Sequence, residues 1–191
     1  MSSSKKVPVV LGRSWAEIGK ISFRLIQSVY PELLVEPAPL PIDDFLEFRM
    51  REVLGFDYEL DELPIGIEAA IDPKEKLVIL SAQTYDDLLD QVPRARFTIA
   101  HEIGHIILHG KYLRHRVLDG GNILKLNRGD IHPYMDTECQ ANAFAASFLM
   151  PTHHVDRMIE EGQGVEDLIK TFNVSWDSAE YRINNLWRYK R

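Results

Sequence analysis

The sequence contains a single cysteine, no long apolar run and no excess of positive charge. Cys139 alone cannot form an internal disulfide, which is compatible with a reducing compartment. No run of about 18 apolar residues exists that could span a membrane. The opening MSSSKKVPVVLGRSW lacks the apolar core of about 7–15 residues that marks a secretory signal. We therefore predict a cytoplasmic protein with no membrane association.

The charge balance is acidic, with 22 basic and 29 acidic side chains and a net charge of −7. Broad binding to nucleic acid or to a membrane surface requires a positive field, so both function classes are disfavoured. A chain of 191 residues with 45% hydrophobic composition can bury a core of its own. The composition predicts one globular domain, with or without a small appendix.

Cap and turn signals predict a mainly helical α+β fold. Ser14 and Glu17 form a capping-box pattern that predicts a helix ending near Tyr30. A second helix is expected at residues 42–54, with Gly55 as its end. Three hydrophobic segments that follow are expected to form a small antiparallel sheet, the last two as a hairpin; they are FDYEL, IGIEAAI and KLVIL.

Helices are expected to dominate the second half of the chain. Pro93 predicts the start of a helix, and Gly110 its end. A further helix is expected at residues 137–150, before Pro151. The segment 165–187 predicts a helix, a tight turn and a second helix, at the spacing of a helix-turn-helix.

The stretch RFTIAHEIGHIILHG places His101, Glu102 and His105 in the order His-Glu-x-x-His. Positions i and i+4 lie on one face of an α-helix, so both imidazoles can reach one ion at about 2.1 Å. Glu102 lies about 100° round the helix from His101, where its carboxylate can contact a water molecule beside the ion. This pattern predicts two metal ligands and a general base. The alternative is an amphipathic helix that carries the pattern by chance.

A catalytic zinc needs a third protein ligand and one open position. His109 continues the histidine stripe, but it lies about 12 Å along the axis from His101, too far to share an ion. His109 is therefore expected either to contact a metal ligand without binding the ion itself or to lie at the surface. Leu108 and Lys111 stand where the metzincin pattern requires Gly and His, which excludes that class.

Glu138, near the start of the helix at 137–150, is the favoured third ligand. Asn142 lies one turn further on the same face, where its side chain could orient a histidine ring. The alternative for Glu138 is a solvated helix-start carboxylate stabilised by the helix dipole. Rival ligands on the preceding segment are Asp130, His132 and Asp136. An apolar stripe on the opposite face is expected to pack on the histidine helix, through Ala141, Phe144, Ala145 and Phe148.

RARFTIAHEIGHIILH followed by ECQANAFAASFLMP resembles the ImmA/IrrE family of metallo-endopeptidases. The preceding order of elements and the FNVS…YRINNL ending are also similar, so the resemblance covers roughly residues 40–187. The resemblance implies a gluzincin-like site that binds Zn2+ through His101, His105 and Glu138. It implies Glu102 as the catalytic base.

Three segments follow from the motifs and the resemblance. Residues 1–35 form an N-terminal tail and helix, residues 36–161 a zincin-like metallopeptidase domain, and residues 162–191 a C-terminal helix-turn-helix-like extension. Asn142 stands where such sites often carry Asp. An oxyanion donor is left open between three candidates, which are Tyr134, His132 and Arg96.

The resemblance also implies a substrate class. Characterised relatives cut a DNA-binding repressor, often encoded beside them on mobile elements or in stress-response loci, and some relatives occur in toxin–antitoxin-like pairs. The expected substrate is therefore a regulatory protein, a DNA-binding repressor or antitoxin encoded nearby. Direct DNA binding is disfavoured, because residues 175–187 contain Asp177, Glu180 and only Arg182 as a base. The alternative function is a zinc-containing regulator that sequesters a transcription factor, or binds DNA, without cleavage. Glu102 argues against a purely structural zinc, which needs a fourth ligand and no base. The sequence sets no oligomeric state.

Overall fold

The computed structural model describes residues 6–8, 10–118, 125–127 and 135–190. Over these ranges the chain is mainly helical with small sheets, which confirms the predicted α+β class. No helix in the described ranges combines the length and the apolar character needed to cross a membrane.

Local capping determines the first helices. Strand β1 covers Lys6–Pro8 and helix α1 covers Trp15–Val29. The Ser14 hydroxyl accepts a hydrogen bond from the Glu17 amide while the Glu17 carboxylate accepts from the Ser14 amide, so the predicted capping box forms. After a 3-10 turn at Pro31–Leu34, the expected second helix forms in three consecutive pieces. They are α2 (Ile42–Asp44), a π turn (Phe45–Arg49) and α3 (Met50–Leu54), which ends at Gly55 with φ of 68°.

The three predicted strands form one mixed sheet. Its strands are β2 (Asp57–Leu60), β3 (Ala69–Asp72) and β4 (Leu77–Leu80), in the order β2-β4-β3. β3 and β4 form the expected antiparallel hairpin, but β2 pairs with β4 in parallel, which corrects the all-antiparallel expectation. β4 takes the centre because Val78 and Leu80 are buried, whereas the side chains of β2 are largely exposed.

Two long helices form the middle of the molecule. After α4 (Ala82–Leu89), helix α5 covers Pro93–Leu118 and strand β5 covers Lys125–Asn127; helix α6 then covers Thr137–Leu149. β5 pairs antiparallel with β1. Gly110 does not end α5 as expected, because an interior glycine costs a helix only about 1 kcal/mol. Helix α5 therefore extends beyond the histidine motif.

The final helices pack on the same core as α5 and α6. They are α7 (Thr152–Glu160), α8 (Val165–Phe172) and α9 (Trp176–Tyr189), and they bury Leu168, Phe172, Ala179 and Leu186 in the common hydrophobic cluster. The fully buried Arg96 donates to the backbone carbonyls of Leu40, Phe172 and Asn173 and to the Gln91 side chain. The core is thus continuous across residue 161, the predicted end of the peptidase segment.

Candidate metal centre

His101, His105 and Glu138 come together between α5 and α6. The Nε2 atoms of the two histidines lie 2.9 Å apart. The Glu138 oxygens lie 3.4 Å from Nε2 of His105 and 3.5 Å from Nε2 of His101. Ligand atoms of a tetrahedral zinc, each about 2.1 Å from the ion, lie about 3.4 Å apart. Both separations from Glu138 match this value, and the separation of the two Nε2 atoms is shorter. The three side chains would hold one ion and leave a fourth position for water or substrate.

A close helix contact positions Glu138 for this arrangement. Gly104 lies on α5 between the two histidines and faces α6. A Cβ atom at Gly104 would come within 3.1 Å of the Phe144 ring and 3.2 Å of the Ala141 carbonyl oxygen. Helix α6 can approach α5 this closely only because position 104 has no side chain. Gly104 is not among the residues predicted from the sequence, although a glycine within a helical pattern is a signal of close packing.

We expect Gly104→Ala to lower the free energy of unfolding by about 1–3 kcal/mol, since overpacking forces the helices apart. Zinc affinity should fall as well, because Glu138 moves with α6. Urea unfolding and zinc titration measure the two effects.

Gly110→Ala is the matched control on the same helix, because no described atom lies within 4 Å of its added Cβ. That change should stabilise the helix by up to about 1 kcal/mol. If both alanine variants behaved alike, the contact at Gly104 would not set the spacing of α5 and α6.

Hydrogen bonds support both histidines from outside the ligand set. His101 Nδ1 lies 2.8 Å from the Asn142 side-chain oxygen, which can only accept, so Nδ1 carries a proton and Nε2 has the lone pair when the ring is neutral. This is the contact expected of Asn142. His109 is 3% exposed and its Nδ1 lies 3.1 Å from Nδ1 of His105. His109 thus supports a ligand and does not lie at the surface.

The electrostatics of the metal-free centre shift the pKa values of His105 and His101 in opposite directions. Burial, and next the charge of His101, lower the pKa of His105. Burial acts to lower the pKa of His101, but its hydrogen bond with Glu138 and the charge of Glu102 outweigh burial, so that pKa is raised. A proton on His101 therefore competes with a metal ion for Nε2. Burial raises the pKa of Glu102 to about 7, which suits a general base at neutral pH.

The raised pKa of Glu102 predicts a pH-dependent stability of the metal-free protein. A carboxyl whose pKa is higher in the folded than in the unfolded state stabilises the fold below its unfolded pKa of 4.5. That contribution is lost as pH rises through about 7. We expect Glu102→Gln to gain about 2–3 kcal/mol over the wild type between pH 4 and pH 8. Urea unfolding of both metal-free proteins measures the difference, and a difference independent of pH would contradict the prediction.

The rival site residues have other placements. Asp136 caps α6, where its carboxylate accepts from the amides of Glu138 and Cys139, so it holds the start of the helix that carries Glu138. The buried hydrogen bonds of Arg96 give it a structural role and remove it as an oxyanion candidate. Three further candidates lie outside the described residues, namely Asp130, His132 and Tyr134.

A cavity of about 290 Å³ adjoins the centre. Its lining includes Phe97 of α5, Asn142 and Ala146 of α6, and Asp177 and Tyr181 of α9. Because Asn142 also contacts His101, a side chain seated in this cavity would lie beside the metal ligands. This cavity has no signal in the sequence, since its walls come from three helices that are separate elements of the chain.

Comparison with known proteins identifies the family of this chain and a solved structure with the same fold. The model of the IrrE N-terminal-like domain matches residues 89–184. A radiation response metalloprotease IrrE from Deinococcus radiodurans is 31% identical over 140 residues, covering 70% of this chain and 38% of that protein. Its counterpart from Deinococcus deserti is 28% identical over 130 residues, covering 63% and 41%. The chain thus spans about two fifths of the length of these curated relatives.

A solved structure shares the fold. It is a Mycobacterium tuberculosis transcriptional regulator, with a TM-score of 0.57 and 16% identity. The match covers 87% of this chain and 55% of that protein. At this identity the likeness concerns the fold alone.

Proposed function

The chain belongs to the ImmA/IrrE family of metallopeptidases, and from that premise we propose that it is a zinc-dependent endopeptidase that makes site-specific cuts in a regulatory protein. One observation carries the proposal. The two imidazoles and the Glu138 carboxylate converge on one point, with the half-buried Glu102 on the same helix as the histidines. Two imidazoles and a carboxylate favour Zn2+ among common metals.

The chain supplies a base and fixed ligand geometry for hydrolysis. Bound Zn2+ supplies Lewis-acid chemistry that activates water and polarises a peptide carbonyl. The Glu102 carboxylate takes up a proton from the attacking water and delivers it to the leaving amine nitrogen. Asn142 holds the His101 ring so that Nε2 faces His105 and Glu138, where it would bind the ion.

The edge position of strand β3 favours a substrate that binds in an extended conformation. This strand lies at an edge of the described sheet and beside the start of α5. Glu68, directly before β3, accepts from the Thr98 hydroxyl at 2.9 Å and pairs with Arg94 at 2.5 Å. Thr98 precedes Glu102 by one helical turn. A peptide that adds to the β3 edge by backbone hydrogen bonds would therefore run toward the metal centre.

A DNA-binding repressor or antitoxin encoded nearby is the proposed substrate. The support is the family, together with a cytoplasmic setting that we also propose. Reading of DNA by α9 itself is disfavoured. Its Arg182 is fully buried, donates to the Met150 carbonyl and the Thr152 hydroxyl, and lies over the Tyr189 ring. The exposed residues of α9 include acidic and aromatic side chains, among them Trp176, Asp177 and Glu180.

Incubation with the repressor encoded beside the gene tests this proposal. The zinc-loaded protein should produce one or a few defined fragments, identified by mass spectrometry, and a chelator should prevent the cut. A tight complex without any cleaved bond would overturn the proposal in favour of sequestration. An intact repressor that does not bind would exclude this neighbour as the substrate.

A further inference from the structure

We propose that the N-terminal segment, residues 10–13, controls how firmly the metal is held, through a hydrogen-bond relay from Leu11 to His105. The relay consists of the Leu11 carbonyl, the Gln140 side chain and the His109 ring. It rests on the metal site of the proposed function, but not on peptidase activity. Its effect is to select the tautomer of His105 that can bind an ion.

The first step fixes the Gln140 amide. This side chain is 1% exposed, and its Nε2 donates to the Leu11 carbonyl oxygen at 3.1 Å. A carbonyl oxygen can only accept, so the amide nitrogen faces Leu11 and the amide oxygen faces His109. That oxygen lies 3.0 Å from His109 Nε2.

The second step carries this orientation to the metal ligand. Because the Gln140 oxygen only accepts, Nε2 of His109 must carry the proton in this bond. The Nδ1 atom of a neutral His109 ring then has a lone pair, and it accepts from His105 Nδ1 at 3.1 Å. His105 consequently has its lone pair on Nε2, the atom that faces His101 and Glu138. The opposite tautomer would place a proton where the ion binds.

The third step connects the relay to a separate part of the chain. His101 is fixed by Asn142, which belongs to the same helix as Glu138. The relay to His105 instead ends on the backbone of the N-terminal segment. That segment is held by the Val10 amide, which donates to the Met135 carbonyl at 3.3 Å. Displacing it would remove the Leu11 acceptor from the Gln140 amide nitrogen and so weaken the preference of His105 for this tautomer.

Gln140→Leu tests the relay in the full-length protein. We expect a zinc affinity about 10–100-fold weaker, the range for loss of an outer hydrogen-bond partner of a ligand. Nitrogen NMR of the metal-free protein should show His105 in both tautomers instead of one. Gln140→Glu retains an acceptor for His109 and should recover most of the affinity.

Ser147→Ala is the matched control on α6. The Ser147 hydroxyl bonds to Ser22 at 2.8 Å in the core, so this variant also loses a buried hydrogen bond. It should lose stability and keep its zinc affinity. The relay is refuted if Gln140→Leu weakens zinc binding no more than Ser147→Ala and leaves the His105 tautomer unchanged.

Val10→Pro tests the role of the N-terminal segment, because proline removes the amide that donates to Met135. It should weaken zinc binding in the wild-type background and have no further effect in Gln140→Leu. Additive effects would overturn the coupling. A wild type that binds zinc but cleaves nothing would contradict the proposed function and leave these readouts intact. The NMR measurement decides the relay even without metal.

Discussion

Replacing Glu102 with glutamine is expected to lower the rate of peptide cleavage about 1,000-fold while zinc stays bound. Glutamine has nearly the same shape as glutamate, but its amide cannot take up a proton from water. General bases typically contribute about 100- to 10,000-fold to a rate. Glu102 is not among the three ligand side chains, so the zinc content should be unchanged. Rates of fragment formation and elemental analysis of the purified variant measure the two quantities.

Glu47→Gln provides the control for the loss of one partly buried carboxylate. Glu47 lies on the π turn, where its carboxylate accepts a hydrogen bond from the Tyr85 hydroxyl. This variant should lose some stability and keep its cleavage rate. If Glu102→Gln cleaved within about tenfold of the wild type, another group would be the base. Retained binding of the uncut substrate by Glu102→Gln would provide a stable complex for locating the cleaved bond.

Replacing Glu138 with alanine is expected to weaken zinc binding by more than about 100-fold, the upper range for changes outside the ligand set. The change removes one of the three candidate ligands and the only negative charge among them. Two neutral imidazoles alone bind the ion less strongly. Competition with a zinc chelator of known affinity measures the change.

Glu166→Ala distinguishes this role from a simple helix-start carboxylate. Glu166 is exposed and lies in the first turn of α8. Glu138 likewise lies in the first turn of its helix, α6. Loss of either interaction with a helix dipole costs about 0.3–1 kcal/mol of stability. If Glu138→Ala matched Glu166→Ala in stability and left zinc affinity intact, Glu138 would not be a ligand.

Local signals account for the parts of the fold that the sequence predicts well. The capping box at Ser14, the left-handed Gly55 and the start of α5 at Pro93 each depend on a few adjacent residues. The parallel pairing of β2 depends instead on which strand the core buries, and that is decided by contacts distant in sequence. The prediction that Gly110 ends α5 was wrong, because glycine stops a helix only where the surroundings favour a left-handed turn.

The same division applies to the candidate site. Helical periodicity predicts that His101, Glu102 and His105 share one helix turn, because four residues complete about one turn. The position of Glu138 depends on the approach of a second helix, and the contact at Gly104 becomes visible only in three dimensions. The support of His105 by His109 and Gln140 has a weaker signal, since the histidine spacing suggests contact but not its direction.

The hydrogen bonds of Arg96 limit how this chain can be shortened or joined to other modules. Two of the four acceptors of its guanidinium belong to residues 172 and 173, at the end of α8. A fragment ending at residue 161 would keep a buried cation with half of its partners, an arrangement that destabilises proteins strongly. In gene fusions, α8 and α9 must therefore be transferred together with α5. A minimal fragment that keeps the candidate metal centre would need both helices as well.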